Sequence, residues 1–248
     1  MSGNNHINML DIPSISIITG QQTSIHPTLI WDDDAVILID TGYPGQLPLF
    51  MKAIEGTGNS LSRLNTIIVT HHDLDHIGGL VDLRAETSGR IRILAHEIEK
   101  PYINGEKRPL KLAQMGENQP EFSQEKKAFY DKFKAGFQKS FIEVDITLKD
   151  GEVLPECGGI MVVHTPGHTL GHICLLHQPG KILVAGDLLR VESGKLTLTP
   201  DSLNYDNNLY KESLKKLTEL DISSVICYHG GFFDDNPNQR IAELARQA

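Results

Sequence analysis

Short apolar runs alternate along the chain with segments in which apolar residues recur every three or four positions. The runs are rich in β-branched residues, and most are bounded by Gly, Pro or Asp, which is typical of strands. Strands are predicted at 14–19, 35–39, 66–70, 90–95, 160–164, 173–177, 181–185 and 223–228. The pattern therefore indicates a fold that mixes strands with helices.

Three of the intervening segments carry helix signals at their ends. The first runs from Pro48, a residue favoured in the first turn of a helix, to Gly56, which is a plausible stop. The second follows Asp206, whose side chain can cap a helix, and the third opens at Pro237. We expect one helix in each of these segments.

Residues 99–145 differ from the rest of the chain because they are rich in Lys and Glu and hold few strand-like runs. Phe129, Phe133 and Phe137 are spaced by four, on one face of a helix that Ser123 could cap. We favour a surface helix whose aromatic side chains pack on the core, with a substrate lid or a homodimer contact as alternatives. The segment separates two halves, about 1–98 and about 146–248, of one predicted domain.

Composition excludes several classes of protein. The 248 residues include 11 histidines and only 3 cysteines, and the formal charge is −9. An acidic chain is a poor nucleic-acid binder, and an odd cysteine count without CxxC favours neither a disulfide framework nor a thiolate zinc site. The chain shows no targeting signal and no apolar run long enough for a membrane span. We therefore expect a cytoplasmic protein with neither nucleic acid nor membrane as its partner.

The histidines are concentrated after strands. HHDLDH at 71–76 directly follows the predicted strand at 66–70, and HTPGHTLGH at 164–172, Asp187 and His229 follow three others. Unpaired charges are costly to bury, whereas imidazole and carboxylate are the usual ligands of zinc and other divalent first-row ions. Because binding sites gather at strand ends, these residues predict one metal centre.

The segment from IDTG at 39–42 to His229 resembles the metallo-β-lactamase superfamily, whose five motifs occur here in order. The resemblance implies an α+β fold, a four-layer αβ/βα sandwich that forms a single domain over 1–248. The family motif T-H-x-H-x-D-H reads THHDLDH at 70–76, so Asp73 replaces the second ligand histidine.

The resemblance also assigns the metal ligands residue by residue. The first metal ion would be bound by His71, Asp73 and His168. The second would be bound by Asp75, His76 and His229. Asp187 would bridge the two ions, and Asp40 would brace the site without binding a metal.

Asp73 affects the choice of metal. With Asp75 and Asp187 it gives the centre three carboxylates, which shifts the preference from zinc towards iron or manganese without deciding between them. A carboxylate also replaces this histidine in the related flavodiiron proteins, but those carry a flavodoxin domain for which this chain has no room. The identity of the two divalent ions therefore stays open.

The chemistry implied is hydrolysis of a small-molecule ester, lactone or thioester by a hydroxide that bridges the two metals. Asp75 is the candidate catalytic residue, placed to orient that nucleophile or to move its proton. The alternatives are an iron-dependent oxidoreductase of the same fold, similar to persulfide dioxygenases or the flavodiiron core, and a catalytically silent metal-binding protein.

The remaining candidates have weaker signals. His72 lies between two proposed ligands and should point away from them, as a structural or solvent-facing residue. His172 is expected to make a hydrogen bond behind the ligands or to pack, rather than to bind metal. His96 is expected to be exposed. For Tyr205, substrate contact and packing both stay open, with packing favoured at least equally.

Overall fold

The structure is a computed structural model, and it describes residues 5–15, 20–116 and 123–248. The strands in the described part of the chain are β1 His6–Met9, β2 Ile12–Ile15, β3 Gln22–Ile25, β4 Thr28–Trp31, β5 Val36–Ile39, β6 Thr66–Val69, β7 Arg92–His96, β8 Ile146–Leu148, β9 Val153–Leu154, β10 Ile160–His164, β11 Ile173–His177, β12 Ile182–Val184, β13 Leu189–Glu192, β14 Lys195–Leu198, β15 Ser224–Cys227 and β16 Gly231–Phe233. The helices are α1 Leu47–Gly56, α2 Leu74–Ile77, α3 Leu80–Glu86, α4 Lys100–Ile103, α5 Leu110–Gly116, α6 Gln124–Ser140, α7 Asn207–Leu217 and α8 Pro237–Gln247.

Two six-stranded sheets organise the chain. The first has the strand order β1-β4-β5-β6-β7-β8, and its last four strands run parallel. The second has the order β16-β15-β12-β11-β10-β9 and is antiparallel except where β12 pairs with β15. Two hairpins, β2–β3 and β13–β14, stand beside the sheets. β8 belongs to the first sheet, so the second sheet begins at Val153 rather than near 146.

The buried apolar side chains form three layers, and alternating side chains of a central strand belong to different layers. In β5, Val36 and Leu38 pack with the helices on the outer side, whereas Ile37 and Ile39 pack between the two sheets. Helices α1, α3 and α6 cover the first sheet, and α7 and α8 cover the second. All four residues of β5 are buried, as expected for a strand of a sheet that is covered on both faces. The fold is thus the predicted α+β sandwich of four layers, αβ/βα.

The predicted helix signals occur where expected. Ser123 Oγ accepts a hydrogen bond from Lys126 N at the start of α6, and the Asp206 carboxylate accepts two backbone N–H groups at the start of α7. Phe133 and Phe137 of α6 are buried, and Phe129 is 40% exposed. Part of the predicted strand at 14–19 lies outside the described residues, and β2 begins earlier, at Ile12. None of the described helices is long and apolar enough to cross a membrane.

Candidate metal centre

The predicted ligands all follow strand ends, and the strands come from both sheets. β6 ends at Val69 and leads through the loop at 70–73 into the short helix α2. β10, β12 and β15 lead to His168, Asp187 and His229. The two sheets therefore bring these side chains to one place, although they are far apart in sequence.

The structure gathers all seven predicted ligands into two neighbouring groups. Within each group the ligand atoms lie within 4.8 Å of one another, and the groups are His71, Asp73, His168 and Asp187, and Asp75, His76 and His229. In the first group, Asp73 Oδ2 lies 3.3 Å from His71 Nε2 and 3.1 Å from His168 Nε2. In the second, Asp75 Oδ2 lies 3.4 Å from His229 Nε2.

Asp187 contacts both groups. Its Oδ1 atom lies 3.4 Å from His76 Nε2, and its Oδ2 atom lies 3.4 Å from both His168 Nε2 and His229 Nε2. One carboxylate therefore faces imidazoles of each group, which is the arrangement that a bridging ligand needs.

Several of these atoms are buried without a hydrogen-bond partner. Among the described residues this holds for His71 Nε2, Asp73 Oδ1, His76 Nε2 and Asp187 Oδ1. Unpaired buried polar atoms are costly, and they are rare in folded proteins unless a bound ion or water satisfies them. A nitrogen and oxygen donor set of this kind suits divalent first-row metals. The residues present thus fit the metal ions that the sequence implies.

The carboxylates attract positive charge to the centre. Burial alone would lower the pKa of His229, but the charges and hydrogen bonds of Asp187 and Asp75 raise it to about 9. Burial also acts to lower the pKa of His76, yet the neighbouring carboxylates, Asp40 first among them, hold it well above its ordinary value. Metal ions would replace these protons, since a histidine binds metal in its neutral form.

Asp40 braces the centre from behind, as the resemblance implies. Its carboxylate accepts hydrogen bonds of 2.8 Å from the Thr70 backbone N–H and from the Thr70 hydroxyl. His76 Nδ1 donates to the same carboxylate at 2.8 Å, which leaves Nε2 facing the centre. Asp40 has φ of 63°, a left-handed conformation that is uncommon outside Gly. The turn after β5 is thus shaped by this brace.

His172 holds the backbone of the bridging aspartate. Its Nε2 accepts a hydrogen bond from Asp187 N at 3.1 Å, so its Nδ1 carries the proton and donates to Thr165 Oγ1 at 2.9 Å. Both ring nitrogens are therefore engaged by the protein. The structure gives His172 the hydrogen-bonding role that the sequence favoured.

His72 is buried, and it belongs to a network that the sequence did not reveal. Its backbone N–H and its Nδ1 both bond to the carboxylate of Glu99, which also accepts Thr169 Oγ1 at 2.8 Å and Gly171 N at 2.7 Å. His72 Nε2 accepts the backbone N–H of Leu110 at 3.2 Å. Burial alone would raise the pKa of Glu99, but His72 and the hydrogen bonds lower it to about 2. Glu99 thus ties together two of the four segments that carry ligands, the loop after β6 and the loop after β10.

Lys111 on α5 brings a positive charge to the same place. Its Nζ atom forms an ion pair with the Asp73 carboxylate and lies 3.4 Å from His168 Nε2. Burial opposes the charge of Lys111, but the carboxylates around it raise its pKa. Lys111 belongs to the segment 99–145, which carries no metal-site signal in the sequence.

The structure corrects the expectation for His96 and bears on the open role of Tyr205. His96 is only 4% exposed, because its ring stacks on His164 of the other sheet with 4.1 Å between the centroids. Tyr205 is 46% exposed, which argues against the packing alternative. Its backbone N–H bonds to the carbonyls of Gly167 and His168, so this residue supports the loop of a predicted ligand.

Comparison with known families gives a match over most of the chain. The family model described as the metallo-beta-lactamase superfamily matches residues 21–229. The chain is also similar to a metallo-beta-lactamase family protein from Thermus thermophilus, with a TM-score of 0.72 and 21% identity. That similarity covers 97% of this chain and 78% of the other, and at such identity it shows the fold alone.

Curated relatives are similar at the level of sequence. One is the "Probable metallo-hydrolase YflN" of Bacillus subtilis, 26% identical over 78% of this chain and 75% of its own length. Another is a hydroxyacylglutathione hydrolase of Rhodopseudomonas palustris, 28% identical over 65% of this chain. The match spans less than half of that second relative, 46% of its length.

Proposed function

The chain belongs to the metallo-β-lactamase superfamily, and on that premise we propose that it is a dinuclear metal-dependent hydrolase of an ester, lactone or thioester. The observation that carries the proposal is the position of Asp187, whose two oxygens face imidazoles of both ligand groups at 3.4 Å. The relative named hydroxyacylglutathione hydrolase supports acyl hydrolysis. The proposal includes the binding of one metal ion by each ligand group, and a single domain that spans residues 1–248.

The side chains would divide the work by their position. Two divalent ions bound here would supply Lewis acidity and a water molecule that ionises near neutral pH. The Asp75 side chain is 14% exposed, whereas that of Asp73 is 3% exposed, so Asp75 lies at the more open edge of the centre. Asp75 orients the attacking water and moves its proton. Lys111 stabilises the negative charge that develops on the carbonyl oxygen of the substrate.

The carboxylate content of the centre supports a second candidate. Asp73, Asp75 and Asp187 are three oxygen donors among seven proposed ligands, which favours harder ions such as iron or manganese over zinc. An iron-dependent oxidoreductase of the same fold would be built from the same residues. Oxygen consumption, measured on the metal-loaded protein, separates this candidate from a hydrolase.

The test begins with protein expressed in the presence of iron, manganese and zinc together. We expect elemental analysis to give about two ions per chain, and a panel of esters, lactones and thioesters to be cleaved in a chelator-sensitive way. Asp187→Asn should lower both metal content and turnover, whereas the exposed Asp131→Asn should change neither. Protein without bound metal that keeps full activity in chelator would contradict the proposal.

A further inference from the structure

An apolar groove of about 590 Å³ lies between α6 and the β2–β3 hairpin. Its apolar lining is contributed by Pro13, Ile15, Tyr43, Leu74, Phe129 and Phe133. The volume falls in the range of small-molecule sites. We call this cavity the α6 groove.

The α6 groove adjoins the segment 73–76, which carries three of the proposed ligands. Leu74, which lines it, lies in sequence between the two proposed ligands Asp73 and Asp75. The Leu74 side chain packs against Gly136 of α6, since a Cβ atom added at position 136 would lie 2.7 Å from Leu74. The groove therefore begins at the first residue of α2, the short helix that carries Asp75 and His76.

Tyr43 marks the same junction. Its ring lines the groove, while burial and then the charges of Asp75, Asp187 and Asp73 raise the pKa of its phenol. The wall is also fixed in place: Gln46 accepts the Tyr43 backbone N–H at 2.7 Å and donates to Pro13 O at 3.0 Å. The hairpin and the Tyr43 loop are thus fastened together.

Two side chains of the groove are apolar and open to solvent. Ile15 is 63% exposed and Phe129 is 40% exposed, and both face one cavity rather than being scattered over the surface. Exposed apolar side chains that share one cavity are what a hydrocarbon group of a ligand can contact. Lys132 and Lys139 also line the groove, so it combines apolar walls with positive charge.

We propose that the α6 groove binds the hydrocarbon chain of the substrate, so that the enzyme acts on amphiphilic acyl esters, lactones or thioesters. This inference rests on the proposed function, because the scissile group must reach the metal centre while the chain lies along Leu74 and Phe129. A protein partner fits less well, since the groove has the volume of a small molecule and ends at α2, which carries two of the proposed ligands.

The first test uses p-nitrophenyl esters from acetate to decanoate with the metal-loaded protein. Each methylene that enters the groove should raise kcat/KM by about fourfold until the groove is filled. The double variant Ile15→Ser/Phe129→Ser should lower kcat/KM for decanoate at least about tenfold more than for acetate. Ile146→Ser/Phe232→Ser is the matched control, because these side chains are similarly exposed, at 39% and 47%, and lie outside the groove.

The second test is calorimetric titration of the chelator-treated protein with hexanoate, octanoate and decanoate, which are not hydrolysed. Affinity should rise with chain length, and the groove variant should lose that rise while the control variant keeps it. Binding that depends on chain length, without hydrolysis of any ester, would refute the proposed function but would support binding of the hydrocarbon chain in the α6 groove. If hydrolysis and binding do not depend on chain length, or if both double variants change them equally, the proposal that the α6 groove binds the hydrocarbon chain is wrong.

Discussion

Glu99 provides a quantitative test of how the centre is held together. It is fully buried, and its carboxylate accepts hydrogen bonds from two of the ligand-carrying loops, those after β6 and β10. Its pKa falls from 4.5 to about 2 on folding, a difference of about 2.5 units. At 1.36 kcal/mol per unit, the charged form contributes about 3 kcal/mol to the free energy of unfolding.

The change to make is Glu99→Gln, a neutral side chain of the same shape. Because the folded pKa lies below the unfolded pKa, the stabilisation is complete above pH 4.5 and is lost as the pH falls towards 2. The variant should be less stable by about 3 kcal/mol at pH 7, and about 2 kcal/mol of that difference should be gone at pH 3.

Urea unfolding at pH 7, 5, 4 and 3, with both proteins in the same chelator, measures this without a contribution from metal release. Glu97→Gln is the control, since Glu97 is exposed two residues away and should change stability by less than about 0.5 kcal/mol. A Glu99→Gln difference that stays constant from pH 7 to pH 3, or that matches the control, would refute the reasoning.

Two further predictions concern the charge of the centre. Since His229 has a pKa of about 9 without metal, metal binding at pH 7 should release at least one proton, and metal affinity should rise with pH up to about 9. Calorimetry in buffers of different ionisation enthalpy measures the number of protons released. Zero proton release would contradict the prediction. Lys111→Met should tighten metal binding by about tenfold or more, because it removes a positive charge beside Asp73; competition with a chromophoric chelator measures this, and weaker binding would show that Lys111 supports the ligands instead.

The four ligand candidates at 71–76 could be predicted because their chemistry is local in sequence, whereas His168, Asp187 and His229 are assigned through the resemblance to the superfamily. HHDLDH at 71–76 follows an apolar strand directly, and imidazoles and carboxylates in such a stretch have few other uses. The central strands are equally legible, since β5 and β6 are buried on both faces and read as unbroken apolar runs. The short strands β1, β3 and β14 mix polar with apolar residues and give no comparable signal.

Glu99 and Lys111 were missed for a shared physical reason. Both belong to the segment 99–145, where Lys and Glu are frequent and each one reads as a solvated surface residue. Their roles exist only in three dimensions: Glu99 bonds to loops 27 and 70 or more residues away, and Lys111 pairs with Asp73. A segment that supplies a buried anion and a cation to the centre does more than cover the core, which is the role that its aromatic spacing favours.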